Sequence, residues 1–144
     1  MLCYTHERRN GWEPVTGLRF SRVLGVASVV ALLQIPLALA GGNADGKIDE
    51  VLRRCGIEDC FASITDSGHV GYEKPHPAIF EAALGETKAS AAESLYVGDV
   101  YSVDYVGARN AGMQAVLFDV AGAYRDREFP RVESLAELEE WLKH

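Results

Sequence analysis

Short apolar segments alternate with amphipathic segments from Pro36 onward, and this alternation restricts the fold more than any other feature. Each apolar segment is followed by glycine or aspartate, which is typical of strands buried in a parallel sheet. A strand-helix unit repeated four times predicts an α/β fold, with a Rossmann-like parallel sheet and helices on both faces. The predicted strands are residues 35–40, 60–65, 94–97 and 114–118, and the predicted helices are residues 46–55, 77 to at least 84, 102–112 and 134–142.

Residues 1–22 show no clear period, because Gly11, Pro14 and Gly17 interrupt them. We interpret this segment as irregular and outside the core. The predicted core domain therefore comprises residues 23–144.

Residues 23–40 form an almost continuous apolar run, for which two interpretations exist. Arg22 precedes the run, and residues 37–40 resemble a signal-peptide cleavage site, so a secretory signal or a membrane anchor is one of them. Gln34 and Pro36 interrupt the run, and a glycine-rich loop and a helix follow it. We therefore favour the other interpretation, a buried helix and a buried strand that remain in the protein.

Composition indicates a cytoplasmic protein that binds neither nucleic acid nor membrane. The formal net charge of −7 repels a phosphate backbone. The three cysteines, Cys3, Cys55 and Cys60, form no pair with Cys-x-x-Cys spacing, so we interpret them as reduced. Cys55 and Cys60 are expected to be partly buried, and Cys55 shares the inward face of the first helix with Val51 and Leu52.

Polar residues follow every predicted strand, where ligands bind in open parallel α/β sheets. Glycines, carboxylates, a hydroxyl and a lysine are therefore expected at one edge of the sheet. This mixture suits an anion held beside a divalent cation. The residues concerned are Gly41, Gly42, Asn43, Asp66, Ser67, Lys74, Asp99, Asp104 and Asp119.

Asp99 and Asp104 form the most informative pair. Asp99 follows a strand and Asp104 lies in the first turn of the next helix, so both can face one point. Two ionised carboxylates that lie close together repel each other unless a cation separates them, and oxygen ligands with a phosphate favour Mg²⁺. Alternatively, Asp104 stabilises the helix start, Asp99 is a turn residue and Lys74 is a solvated surface lysine.

Two segments resemble motifs of the haloacid dehalogenase (HAD) superfamily. Residues 67–80 contain Gly-Tyr-Glu-Lys-Pro-His-Pro and are similar to its third motif, and residues 98–113 begin with Gly-Asp-Val-Tyr-Ser-Val-Asp and are similar to its fourth. Residues 43–57 resemble the stretch after the second motif. Together the similarities extend from residue 36 to about residue 125.

The resemblance implies a hydrolase in which an aspartate attacks a phosphoryl group, or in a few members a halogenated carbon. Lys74 would then stabilise the nucleophile and bind phosphate together with Gly41, Gly42 and Asn43. Asp99 and Asp104 would hold Mg²⁺ as the cofactor. The implied substrate is a small phosphorylated metabolite.

The sequence departs from the family pattern in two places. Glycines 41 and 42 stand where a serine or threonine is usual, and no aspartate occurs before Asp45 to serve as the nucleophile. We therefore expect an incomplete HAD core that is truncated and inactive alone, with residues 1–22 as a possible remnant of a cap. The alternative is a non-catalytic Mg²⁺- and phosphate-binding remnant or interaction module. Loss of the central strand would expose sheet edges and favour self-association.

Overall fold

The computed structural model describes residues 2–5, 37–41 and 48–142. They form one six-stranded sheet with helices on its two faces. The strands are β1 (Leu2–Thr5), β2 (Leu37–Gly41), β3 (Ser63–Asp66), β4 (Ser94–Gly98), β5 (Gln114–Phe118) and β6 (Arg131–Val132). The α-helices are α1 (Ile48–Cys55), α2 (Ser67–Val70), α3 (Pro77–Thr87), α4 (Val106–Asn110) and α5 (Leu135–Leu142), with 3₁₀ turns at Glu58–Cys60 and Ala91–Glu93 and a π-helical turn at Tyr101–Tyr105.

Five of the six strands run in one direction, which confirms the predicted α/β fold. The strand order is β3-β2-β1-β4-β5-β6. Parallel pairing joins β2 to β3, β4 to β5 and β5 to β6. The four predicted strands are found as β2, β3, β4 and β5. The two-residue strand β6 and the short helix α2 were not predicted, because segments this short carry no readable period.

The central strand β1 contradicts the prediction that residues 1–22 are irregular. Leu2–Thr5 lies between β2 and β4 and runs antiparallel to both. The gap expected at the sheet centre is therefore filled, and the predicted exposed edge does not exist there. The remaining residues up to 22 lie outside the described ones. Self-association stays a prediction, and it would have to use another surface.

The two faces of the sheet are covered by different helices. Tyr96 of β4 points to the face of α3, where Phe80 packs against it edge-on with ring centroids 5.1 Å apart. Its neighbours Leu95 and Val97 point to the opposite face, where Leu138 of α5 packs. This alternation follows from the two-residue period of a strand. Each such buried side chain contributes about 1.5–3 kcal/mol of transfer free energy.

Helix α1 is less buried than its sequence predicted. Leu52 is buried as expected, but Val51 is 49% exposed and Cys55 is exposed. Val51 and Cys55 are one turn apart, so they share a side of the helix that faces solvent. Cys60 is partly buried as predicted, and burial, followed by the charge of Asp59, raises the pKa of its thiol.

No helix in the part of the chain that the structure describes is long and apolar enough to cross a membrane. Most of the apolar run at residues 23–40 lies outside the described residues, and only its end is seen, as β2. The choice between a retained segment and a signal or anchor therefore stays a prediction.

Replacement of Cys3 by proline tests the position of β1. Cys3 pairs with Ala38 on one side and Tyr96 on the other, so proline removes a ladder N–H in the middle of the sheet. We expect Cys3→Pro to lower the free energy of unfolding in urea by roughly 2–4 kcal/mol. Cys3→Ala keeps the N–H and is the control. Equal stabilities of the two variants would show that β1 does not occupy the sheet centre.

Candidate functional site

A buried ion pair forms the centre of the carboxyl edge of the sheet. Lys74 Nζ lies 2.9 Å from Asp104 Oδ1, and the two side chains are 13% and 2% exposed. The same oxygen accepts a hydrogen bond from the Tyr96 hydroxyl at 3.3 Å. Asp104 Oδ2 accepts one from the Val100 N–H at 3.0 Å. The alternative that Lys74 is a solvated surface lysine is therefore wrong.

Two glycines allow the elements of the site to approach one another closely. A Cβ at Gly98 would lie 2.4 Å from Cβ of Asp104, so β4 can end against this aspartate only without a side chain there. A Cβ at Gly107 would lie 2.8 Å from Cζ of Phe80 and 3.2 Å from Cβ of Pro75. Helix α4 thereby packs directly on the turn that carries the lysine.

The start of helix α3 fixes the residues after the lysine. Pro77 is the first helical residue, as predicted, and its missing N–H removes no helical hydrogen bond. His76 caps the helix, since its Nδ1 accepts a hydrogen bond from the Ala78 N–H at 3.2 Å. The Tyr72 ring stacks on His76, with centroids 4.1 Å apart. His76 is exposed, and its contacts are those of a structural residue at the start of the helix.

Asp99 is exposed at the end of β4, whereas Asp104 is buried and already holds a lysine, a tyrosine and an amide. The predicted helix that carries Asp104 begins one residue early, as the π-helical turn Tyr101–Tyr105. No group of three potential metal-binding side chains exists within the described residues. Within that part of the chain, Asp99 and Asp104 are the two carboxylates predicted for Mg²⁺, and their role as its ligands stays a prediction.

Asp66 and Asp119, also expected at this edge, stabilise the backbone. Asp66 Oδ1 accepts a hydrogen bond from the Gly68 N–H at 2.7 Å and caps α2. Asp119 accepts hydrogen bonds from the N–H groups of Ala123 at 2.8 Å and Tyr124 at 2.9 Å. Asp66 Oδ2 and the hydroxyl of Ser67 are buried without a hydrogen-bond partner.

The predicted phosphate loop is only partly visible. Gly41 ends β2 and pairs with Asp66, so its backbone reaches the same edge as the ion pair. Gly42 and Asn43 lie outside the described residues. Their role in phosphate binding stays a prediction.

Sequence reasoning placed Lys74 and Asp104 at one edge but missed their contact, and it also missed the two other partners of Asp104. Tyr96 belongs to a buried strand, and a buried tyrosine usually finds a partner for its hydroxyl, which was a usable signal. The Val100 amide gave no signal, since backbone contacts of this kind depend on the turn that follows the strand.

Comparison with known proteins matches residues 20–118 to the family of haloacid dehalogenase-like hydrolases. The chain is 43% identical over 68 residues to the glyceraldehyde 3-phosphate phosphatase of Methanothermobacter thermautotrophicus, covering 47% of this chain and 30% of that protein. The resemblance expected from the two motifs is confirmed.

Solved structures show the same relation. The HAD phosphatase of Thermococcus onnurineus has a TM-score of 0.61 and 29% identity, and the match covers 67% of this chain and 46% of that one. The 2-haloacid dehalogenase of Pseudomonas syringae pv. tomato has a TM-score of 0.59 and 36% identity, covering 64% and 41%. The matched part thus spans less than half of each of these three proteins.

Lys74→Met tests the energetic role of the buried pair. Methionine replaces the apolar part of the lysine side chain but has no counterpart of Nζ, so the Asp104 carboxylate is left buried without its cation. We expect the free energy of unfolding to fall by about 3–5 kcal/mol. The exposed Lys88 provides the control, and Lys88→Met should change stability by less than about 0.5 kcal/mol. Similar losses from the two variants in urea unfolding would contradict the assignment.

Proposed function

Because the chain belongs to the haloacid dehalogenase-like hydrolase family, we propose that it carries a phosphatase-type site that binds a phosphoryl group beside Mg²⁺. We further propose that this chain alone binds such a group without hydrolysing it. The observation that supports the proposal most is the buried Lys74–Asp104 pair, with Asp99 exposed beside it at the carboxyl edge.

Lysine and backbone N–H groups provide the anion-binding chemistry. The ammonium group of Lys74 lies at an edge where Asp66 ends β3, Asp99 follows β4 and Asp119 follows β5. The end of β2 at Gly41 brings backbone N–H groups to this edge, and successive N–H groups can hold a phosphate. A relative that shares 43% identity is a phosphatase, which favours phosphoryl chemistry. The resemblance to a 2-haloacid dehalogenase leaves carbon–halogen cleavage as the alternative reaction.

Two carboxylates support the proposed Mg²⁺ site. Asp99 is exposed and can offer an oxygen directly. Asp104 Oδ1 already accepts from Lys74 and Tyr96, so this aspartate would act through a water molecule on its other oxygen. When bound, Mg²⁺ would shield the charge of the phosphoryl oxygens. Lys74 would hold the phosphoryl group in place, and the Tyr96 and Val100 contacts would keep the Asp104 carboxylate oriented.

The direction of β1 supports the absence of turnover. Leu2 pairs with Val97 and Thr5 with Ser94, so β1 begins at the site edge and ends at the opposite edge. β1 therefore ends at the edge of the sheet away from Lys74. Since no aspartate precedes Asp45 in the sequence, β1 brings no carboxylate nucleophile to the site.

The ligand proposed for this site is a small phosphorylated metabolite. The net charge of −7 argues against a nucleic-acid ligand. A cytoplasmic location is proposed from the reduced state assigned to the cysteines, of which Cys55 and Cys60 are free.

Turnover is tested with an aryl phosphate and Mg²⁺. We expect the purified chain to release no phosphate above the level of a mock purification, because no aspartate precedes Asp45 in its sequence. Asp99→Asn, prepared in the same way, controls for host phosphatases. Turnover by the wild-type chain that disappears in Asp99→Asn would contradict the proposal.

Ion binding is tested with Mn²⁺ as a paramagnetic substitute for Mg²⁺. We expect weak binding by the wild-type chain and a loss of affinity of at least about tenfold in Asp99→Asn, since only this carboxylate is free to coordinate directly. Asp126→Asn is the control, since Asp126 is another exposed aspartate on the loop after β5. Equal affinities of the wild type and the Asp99→Asn, Asp104→Asn double variant would disprove the site.

A further inference from the structure

Four aromatic rings stack at the carboxyl ends of β4 and β5. Tyr101 is central, with ring centroids 5.6 Å from Tyr105, 5.6 Å from Tyr124 and 4.9 Å from Phe129. Phe129 also lies 4.9 Å from Tyr105. All four side chains are half-buried. We call these four residues the aromatic cluster. Its central residue, Tyr101, lies two residues after Asp99 in the sequence.

Two rings of the cluster belong to the turn that carries Asp104. The turn Tyr101–Tyr105 is π-helical, and the N–H of Val106 donates to the carbonyl of Tyr101. Such wide turns are rare and are frequent at functional sites. Asp104 lies within the turn and Asp99 two residues before it. The conformation of the turn therefore sets where the two carboxylates lie relative to each other.

The other two rings belong to a loop that Asp119 holds in place. Its two carboxylate oxygens accept hydrogen bonds from the N–H groups of Ala123 and Tyr124. Arg131, at the start of β6, lies 3.7 Å from the same carboxylate. Asp119 thereby fixes the start of the loop that brings Tyr124 onto Tyr101.

Ion pairs fix the remainder of this loop. Arg125 donates two hydrogen bonds to Glu133, at 2.8 and 2.6 Å, and Arg131 donates a third at 2.7 Å. The hydrogen bonds from Arg125, followed by that from Arg131, lower the pKa of Glu133 to about 2. Since its pKa is lowered, the Glu133 carboxylate is ionised and able to pair with both arginines at any pH well above 2.

We propose that the aromatic cluster is a positioning device, through which the loop held by Asp119 fixes the π-helical turn and so orients Asp99 and Asp104. Its four residues are positioning residues, because they act on the carboxylates through the backbone of the turn. The expected effect on the affinity for the ion rests on the proposed function. The expected effect on the conformation of the turn does not depend on it.

Phe129→Leu removes one ring and keeps an apolar side chain. Loss of its stacking should raise the amide hydrogen exchange of Val100 and Asp104 by about three- to tenfold, because these N–H groups close the turn. The Mn²⁺ affinity should fall by a similar factor. Asp119→Asn, which removes the anchor without touching a ring, should have the same two effects and replaces Phe129→Leu if that variant does not fold.

Two control variants separate positioning from a general loss of packing. Tyr72→Leu removes a ring stacked on His76 in the neighbouring loop and should leave the exchange of Val100 and Asp104 unchanged. Tyr101→Phe retains the stacked ring and should behave as the wild type. Exchange that rises uniformly over the core, or not at all, would overturn the proposal.

The ion measurement distinguishes the two proposals. If the wild-type chain binds Mn²⁺ and the cluster variants raise exchange without changing the affinity, positioning of the carboxylates is disproved. If the wild-type chain does not bind Mn²⁺, the ion site of the proposed function fails. The amide exchange at Val100 and Asp104 then still decides whether the cluster holds the turn.

Discussion

Backbone pairing of β1 with its two neighbours joins the sheet into one structure. β2 and β3 form one pair and β4, β5 and β6 form a second group, and Leu2–Thr5 provides the ladder between them. Helix α3 contacts β2 and β3 as well as Tyr96 of β4, so its packing depends on this continuity. Four residues near the start of the sequence thus complete the central part of the sheet, where an unpaired row of backbone groups would be costly.

Because β1 is antiparallel to its neighbours, it satisfies the hydrogen bonding of the sheet without ending at the functional site. Either direction satisfies the backbone hydrogen bonds of β2 and β4. Only a strand that ends at the carboxyl edge would bring the residue after it to Lys74. The sheet can therefore be complete in hydrogen bonding although its central strand begins, and does not end, at the site.

Most of the sheet could be predicted from the sequence, because buried parallel strands are continuously apolar and end at glycine or aspartate. β4 and β5 are examples. β1 could not be predicted, since Leu-Cys-Tyr-Thr is too short to show a period and its pairing depends on distant residues. The presence of Lys74 and Asp104 at one edge of the sheet was predicted, but their direct contact was not. The aromatic cluster depends on a loop conformation that no local pattern specifies.

The buried pair has a physical reason to persist whether or not the chain catalyses a reaction. The Lys74 and Asp104 side chains are only 13% and 2% exposed. Their ion pair adds little to the stability of the fold, because the cost of desolvating both charges offsets their attraction. Removing either partner alone is far worse, since it leaves one charge buried and unpaired. A substitution of either residue alone is therefore expected to lower the stability of the fold. Gly98 adds to this constraint, because any larger residue there collides with Asp104. The presence of the pair in this chain is thus evidence for the architecture of the site. The chemistry of the site depends on the groups that lie near Lys74 at the carboxyl edge of the sheet.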